Sequence, residues 1–170
     1  TNEDIVGVDI DKNKAEPGNY QLEVKQLAQR SSAMTSGFAD PDESYIGVGF
    51  IQYELPNGEQ EEIYVDSEHA TLNGVAKLIN KDSENGLRAN VVNDGSGSET
   101  PHRLMLSLEG TGDKKKADFP YFYFVDGEKD FYLEYERPAH DAKVKLNGFE
   151  IEVPENKTSE LIPGVTLDLK

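Results

Sequence analysis

The chain has 170 residues, with 33 acidic against 17 basic for a formal charge of −16, and it contains neither Cys nor Trp. Lack of Cys excludes disulfides, thiolate zinc sites and cysteine nucleophiles together, and the acidic excess repels nucleic acid and anionic lipid. No apolar run approaches the roughly 20 residues that span a bilayer, no basic start leads into an apolar stretch as in a secretory signal, and Thr1 in place of Met reads as an internal piece of a longer chain.

Pro17-Gly18 marks a turn, after which Tyr20, Leu22 and Val24 alternate with Gln21, Glu23 and Lys25 as a half-buried strand. From Leu27 through Phe38 the Ser-, Ala- and Gly-rich stretch has no clear period. Ala39 to Ser44 reads as a polar loop and a candidate domain crossing. Ile51, Tyr53 and Leu55 alternate, as do Ile63 and Val65, with Pro56-Asn57-Gly58 between them. A two-residue Asn-Gly turn would set Tyr53 opposite Glu62, apolar against polar. A shift of one residue pairs Tyr53 with Ile63 and Ile51 with Val65, so a longer loop with a bulge is expected.

Leu72, Val75, Ala76 and Ile79 recur at i, i+3, i+4 and i+7. That spacing predicts an amphipathic helix, with Thr71 as N-cap and Gly86 as a stop past its end. Ala89, Val91 and Val92 read as a strand, Asn93 to Ser98 as a turn, and Leu104, Leu106 and Leu108 as the returning strand. Lys114-Lys115-Lys116 is a short basic run in a loop, too few charges for a basic patch.

The stretch Phe119 to Tyr135 is unusually aromatic: Phe119, Tyr121, Phe122, Tyr123 and Phe124, then Phe131, Tyr132 and Tyr135. Asp126-Gly127 in its middle predicts a hairpin. The rings suit a packed sheet face and a domain seam; they equally suit a contact surface for another subunit. Asn147-Gly148, flanked by Val144 and Leu146 and by Phe149, Ile151 and Val153, predicts a type I′ hairpin pairing Leu146 with Phe149 and Val144 with Ile151. Leu161 and Ile162, the Pro163-Gly164 turn, and Val165, Leu167 and Leu169 close the chain. The sum is a β-rich α+β fold with one short helix.

Reactive chemistry finds little support. Asp9, Asp11 and Asn13 match the opening of a calcium loop, but Lys14 stands where the sharp-turn Gly belongs and Tyr20 where the bidentate Glu belongs. Asp94, Ser96 and Ser98 have similar spacing and lack the later carboxylate. His69, His102 and His140 are far apart, without His-Glu-x-x-His spacing. There is no Gly-x-Ser-x-Gly elbow, and Gly47-Val48-Gly49 lacks the third Gly and the following helix of a phosphate loop. Acidic pairs are too abundant to single one out for glycoside hydrolysis. No catalytic, metal or cofactor-binding residue is assigned, no cofactor is expected, and the chain is not expected to be an enzyme.

Four stretches carry a resemblance. They are Ala15 to Ala28, with its Gly-Asn-Tyr-Gln-Leu-Glu-Val-Lys-Gln-Leu-Ala run; Thr71 to Asn80, ending in Ile79-Asn80; Ala89 to Gly97, resumed at Arg103-Leu-Met-Leu-Ser107; and Asp141 to Gly148, followed by Asn156 and by Ile162 to Leu169. In order and spacing these resemble the flagellar filament capping protein family (FliD, flagellar hook-associated protein 2). Ser98 to His102 reads as an insertion within the third stretch, and Phe119 to Tyr135 follows no family pattern.

The resemblance implies two small β-dominated domains, an outer head inserted into an inner one. Residues 1–40 plus 137–170 would form the inner domain and 41–136 the outer. It implies a structural component of the bacterial flagellum, a cap at the distal filament tip that promotes flagellin folding and insertion. An adhesin module for host mucus or glycans is the alternative. The implied partners are further copies in a ring-like cap of the full-length protein, flagellin, and, through regions missing here, other hook-associated proteins and an export chaperone. Neither nucleic acid nor membrane is among them. The implied location is extracellular, at the flagellar tip, reached by the flagellar type III route without a cleaved signal peptide. The 170-residue chain itself is expected to be monomeric or weakly associating, because −16 bodies repel.

Overall fold

The computed structural model describes residues 3–54, 58–81, 86–115 and 118–170. Leu55, the Pro56-Asn57 part of the expected loop, and Lys116 lie outside the described residues. The chain divides into two compact units. The first comprises Thr1–Arg30, Gly110–Lys115 and Ala139–Lys170, and the second Ser31–Glu109 and Lys116–Pro138. The expected boundaries at 40 and 137 therefore differ from these. Residues 31–40 belong with the second unit because Ser32–Thr35 is hydrogen-bonded inside one of its sheets. Gly110–Lys115 return to the first unit, where the Asp113 amide donates to Asp141 Oδ1 at 2.7 Å.

The first unit holds two antiparallel sheets. In one, β1 (Val6–Ile10) pairs with β13 (Val165–Leu169), which pairs with β12 (Lys157–Ile162) across the Pro163-Gly164 turn, where Gly164 has φ 72°. In the other, β10 (Ala142–Leu146) lies between β11 (Phe149–Val153) and β2 (Leu22–Gln26). Strands from both ends of the chain thus share each sheet. The expected hairpin register is present, with Leu146 opposite Phe149 and Val144 opposite Ile151. Asn147 and Gly148 take φ 48° and 92°, as a type I′ turn requires. Tyr20 does not join β2; it is exposed ahead of the strand, where Asn147 Oδ1 accepts from the Gln21 amide. Val6, Ala142, Val144, Val153, Leu167 and Leu169 form the core.

The second unit has a four-stranded sheet in the order β6 (Leu87–Asn93), β7 (His102–Leu108), β3 (Ser32–Thr35), β9 (Leu133–Arg137). Its three-stranded sheet has β4 (Val48–Glu54) between β5 (Gln60–Val65) and β8 (Tyr121–Val125). Both sheets contribute to one core with the helix α1 (Leu72–Lys81), whose Leu72, Val75, Ala76 and Ile79 are buried. Thr71 Oγ1 accepts from the Gly74 amide at 3.1 Å, the expected N-cap bond. Gly86 takes φ 72°.

Three local expectations are corrected. Ala39 to Ser44 is not a crossing between units; Asp40 Oδ1 accepts from the Asp42 and Glu43 amides, and the Pro41 carbonyl accepts from Asn73 in the first turn of α1. The β4–β5 register sets Ile51 opposite Ile63 and Tyr53 opposite Glu61, not Tyr53 opposite Ile63. This puts Ile51 and Val65 on the core side together. Asp126-Gly127 does not close a hairpin. β8 pairs with β4 and β9 with β3, so the segment between them crosses from one sheet to the other. Its Phe131 ring stands edge-on to Phe122 and Phe124, at 4.7 and 5.3 Å between centroids. Lys114 and Lys115 do lie in the connection between β7 and β8, in a short 3-10 turn, Asp113–Lys115.

Two asparagines of the motif stretches act alike. Asn80 at the end of α1 donates through Nδ2 to the Ala89 carbonyl and accepts the Ala89 amide at Oδ1, at 2.7 and 2.9 Å. Asn156 does the same for Ala28 in the first unit, at 3.0 and 2.6 Å. Each side-chain amide completes backbone hydrogen bonding that no strand reaches.

Candidate interaction surface

The residues weighed for metal or catalysis serve local structure. Asp9 is exposed on β1, and Asp11 Oδ1 accepts from the Asn13 amide in the turn that follows. His69 bonds Asp66 at 2.8 Å, His102 bonds the Ala39 carbonyl at 2.9 Å, and His140 bonds Gln26 at 2.7 Å. Three carboxylates not singled out from sequence, Asp113, Asp141 and Glu152, approach one another within 4.8 Å. Asp141 there holds the Asp113 amide, and Glu152 pairs with Lys143 at 2.9 Å.

Arg103 is a heavily engaged charge. Its side chain is only 14% exposed, and its guanidinium bonds Asp94 at 2.7 Å, pairs with Glu134, and donates to the Thr35 carbonyl at 2.9 Å. It also lies 5.8 Å from the centroid of the Tyr135 ring. The β3–β9 pairing skips Glu134, and this bulge brings its carboxylate to Arg103. Ser96 hydrogen bonds and then Arg103 hold Asp94 down at about 2, and Arg103 likewise lowers Glu134. Asp94 and Ser96, read as a weak cation motif, instead order the tip of the β6–β7 hairpin.

The most unusual surface is the outer face of the β5–β4–β8 sheet. Period-two alternation sends Ile51, Tyr53, Val65, Phe122 and Phe124 toward the core. The opposite parity puts Tyr64, Phe50 and Tyr123 in one row across three strands, since Phe50 lies opposite both Tyr64 and Tyr123. Tyr64 and Tyr123 are each 57% exposed and Tyr121, in the next row, 65%. The Phe50 and Tyr64 rings are 5.2 Å apart. Alongside, Gln52 donates to Glu62 and Gln60 to Glu54, both at 2.6 Å. No Lys or Arg occupies an outward position on any of the three strands.

Next to this face, a groove of ≈ 670 Å³ is lined by Asp126 to Tyr132 with Ile46 and the β8 phenylalanines. Its acids are Asp126, Glu128 and Asp130. Its Lys129 is turned to the Gly37 carbonyl and the Phe38 ring, the latter at 5.0 Å. The aromatic run was visible in the sequence, but Phe50 and Tyr64 were not singled out. Their signal was apolar residues on both parities, as in Phe50-Ile51 and Tyr64-Val65.

No protein-family model matches the chain. Among curated proteins it is 27% identical over 189 residues to the B-type flagellar hook-associated protein 2 of Pseudomonas aeruginosa, a match covering all of this chain and 39% of that protein. The chain thus spans about two fifths of the length of that relative. Among solved structures, the flagellar cap protein FliD from Bdellovibrio bacteriovorus is 45% identical, with a TM-score of 0.89 over 99% of this chain and 91% of that one. The D2-D3 domains of the Serratia marcescens flagellar cap protein share the fold, with a TM-score of 0.71 at 21% identity over 98% and 92% of the two chains.

Proposed function

The chain belongs to the flagellar cap protein family, also named flagellar hook-associated protein 2, and from that premise we propose that it forms the head of a filament cap at the flagellar tip. The single observation that carries this is 45% identity to a flagellar cap protein over nearly the whole of both chains. In this reading the role is structural and not enzymatic. The first unit is the inner head domain and the second the outer.

The cap it belongs to promotes flagellin folding and insertion and self-associates through the full-length protein. It reaches the tip by the flagellar export route. A chain without Cys suits such a path, because it needs no oxidative folding after passing a channel. The motif asparagines and hairpin turns brace a rigid scaffold, and the strong acidic charge keeps it dispersed. The relatives named above are flagellar cap and hook-associated proteins, and none of them favours the adhesin alternative.

The test is deletion of the encoding gene with electron microscopy of the cells. Loss of filaments, restored by the gene in trans, with tagged protein at filament tips, is the expected result. Normal filaments in the deletion strain would contradict the proposal.

A further inference from the structure

We propose that the outer face of the β5–β4–β8 sheet binds an arginine-bearing segment of another protein chain, with guanidinium groups laid over the Tyr64–Phe50–Tyr123 row and paired with Glu62 and Glu54. The inference goes beyond the cap reading and does not depend on it. The first ground is that folding does not need these rings outside. The core side of the same strands is already filled by Ile51, Tyr53 and Val65, and the Phe50–Tyr64 contact accounts for one cross-strand pair only. Tyr121 and Tyr123 stand well out in solvent.

The second ground is charge. The outward positions hold aromatics, Gln, Glu and Val48 and Val125, and no cation. The adjoining groove adds Asp126, Glu128 and Asp130. A face of rings rimmed by carboxylates complements a cation that can stack and donate two hydrogen bonds to a carboxylate at once, and guanidinium does both better than ammonium.

The third ground is that the second unit already holds one arginine this way. Arg103 lies over Tyr135 with Asp94 and Glu134 on its nitrogens. The outer face likewise sets carboxylate beside ring, with Glu62 two residues from Tyr64 on the same side of β5, and has no arginine of its own. A second copy presenting this same face is a poorer occupant, since the outward positions of β4, β5 and β8 hold carboxylates and no cation to pair with them.

The experiment is a residue-resolved NMR titration of the 170-residue chain at moderate salt. The probe is a capped peptide alternating Arg and Ser, compared with its Lys counterpart. Expected shifts concentrate on the amides of β4, β5 and β8. The Arg peptide should bind about two- to fivefold tighter than the Lys peptide, and Tyr123→Thr should weaken it by about the same factor. Tyr121→Thr and Glu62→Gln, both exposed, serve if Tyr123→Thr unfolds, and each should also weaken binding. Shifts scattered over the acidic surface, equal for both peptides and indifferent to these variants, would overturn the proposal. So would concentration-dependent shifts of the same face without peptide, which would assign it to a second copy, or shifts caused by oligosaccharides with the Arg peptide silent.

Discussion

Each unit contains a three-stranded antiparallel sheet with one face buried, and the two differ on the face that is not. On β11–β10–β2 the outward residues alternate in charge, with Lys143 opposite Glu152 and Lys145 opposite both Glu150 and Glu23. On β5–β4–β8 the corresponding positions carry Tyr64, Phe50 and Tyr123. The backbone solution is the same, so the outer face is not dictated by pairing. Charge ladders suffice for a soluble sheet. Exposed aromatics therefore point to a demand other than folding.

The comparison can be broken first in the cores. Leu106→Ala, at a fully buried site of the second unit, should cost about 2–5 kcal/mol in chemical denaturation. Val144→Ala in the first unit removes less apolar bulk and should cost about 2 kcal/mol. A smaller loss at Leu106 than at Val144 would mean that the second core is the looser one.

The asparagine clasps sharpen the likeness of the units. Asn80→Ala and Asn156→Ala each leave a backbone amide and carbonyl of Ala89 or Ala28 without that partner, at an expected cost of about 1–3 kcal/mol by the same measurement. A neutral Asn156→Ala would show water replacing the clasp in the first unit. Gly148→Val forces a branched side chain to φ 92° with nothing crowding it, so backbone strain alone should lower stability by about 1–2 kcal/mol. An unchanged melting temperature would contradict the turn geometry.

Acid distinguishes the units more gently. Asp94, in the second unit, has a folded pKa of about 2 against an ordinary 3.8. Its contribution is complete above the unfolded value and is lost as pH falls through about 2, and Glu134 works in the same direction. Unfolding followed between pH 5 and 2 should show this loss in the wild type and less of it in Asp94→Asn. The smallest effect belongs to the charged ladder. Lys143→Ala removes an exposed pair with Glu152 and should leave the melting temperature unchanged within error.

What was legible in the sequence is what short-range chemistry decides. Asn147-Gly148 specifies its turn by conformation alone, and Leu72, Val75, Ala76 and Ile79 specify a helix face by spacing. The strand β3 was not legible. Ser32, Ala33 and Thr35 are small or polar, and they form a strand because β7 and β9 flank them. Asp126-Gly127 misled for the same reason, since the partners of β8 and β9 are β4 and β3, remote in the chain. Arg103 gave no sign of its place, because its partners come from Asp94, Thr35 and a bulge at Glu134. Of the aromatic face, the half on β8 was visible as a run, while Phe50 and Tyr64 required the register.

The most direct measurement is native-state amide hydrogen exchange of the whole chain, resolved by residue across a denaturant series. The amides of β2 should open together with those of β10, β11, β1 and β13, at one common free energy, since strands from both chain ends share these sheets. Exchange of β2 in step with β3 and β7 instead, independent of β10 and β11, would contradict the two-unit architecture.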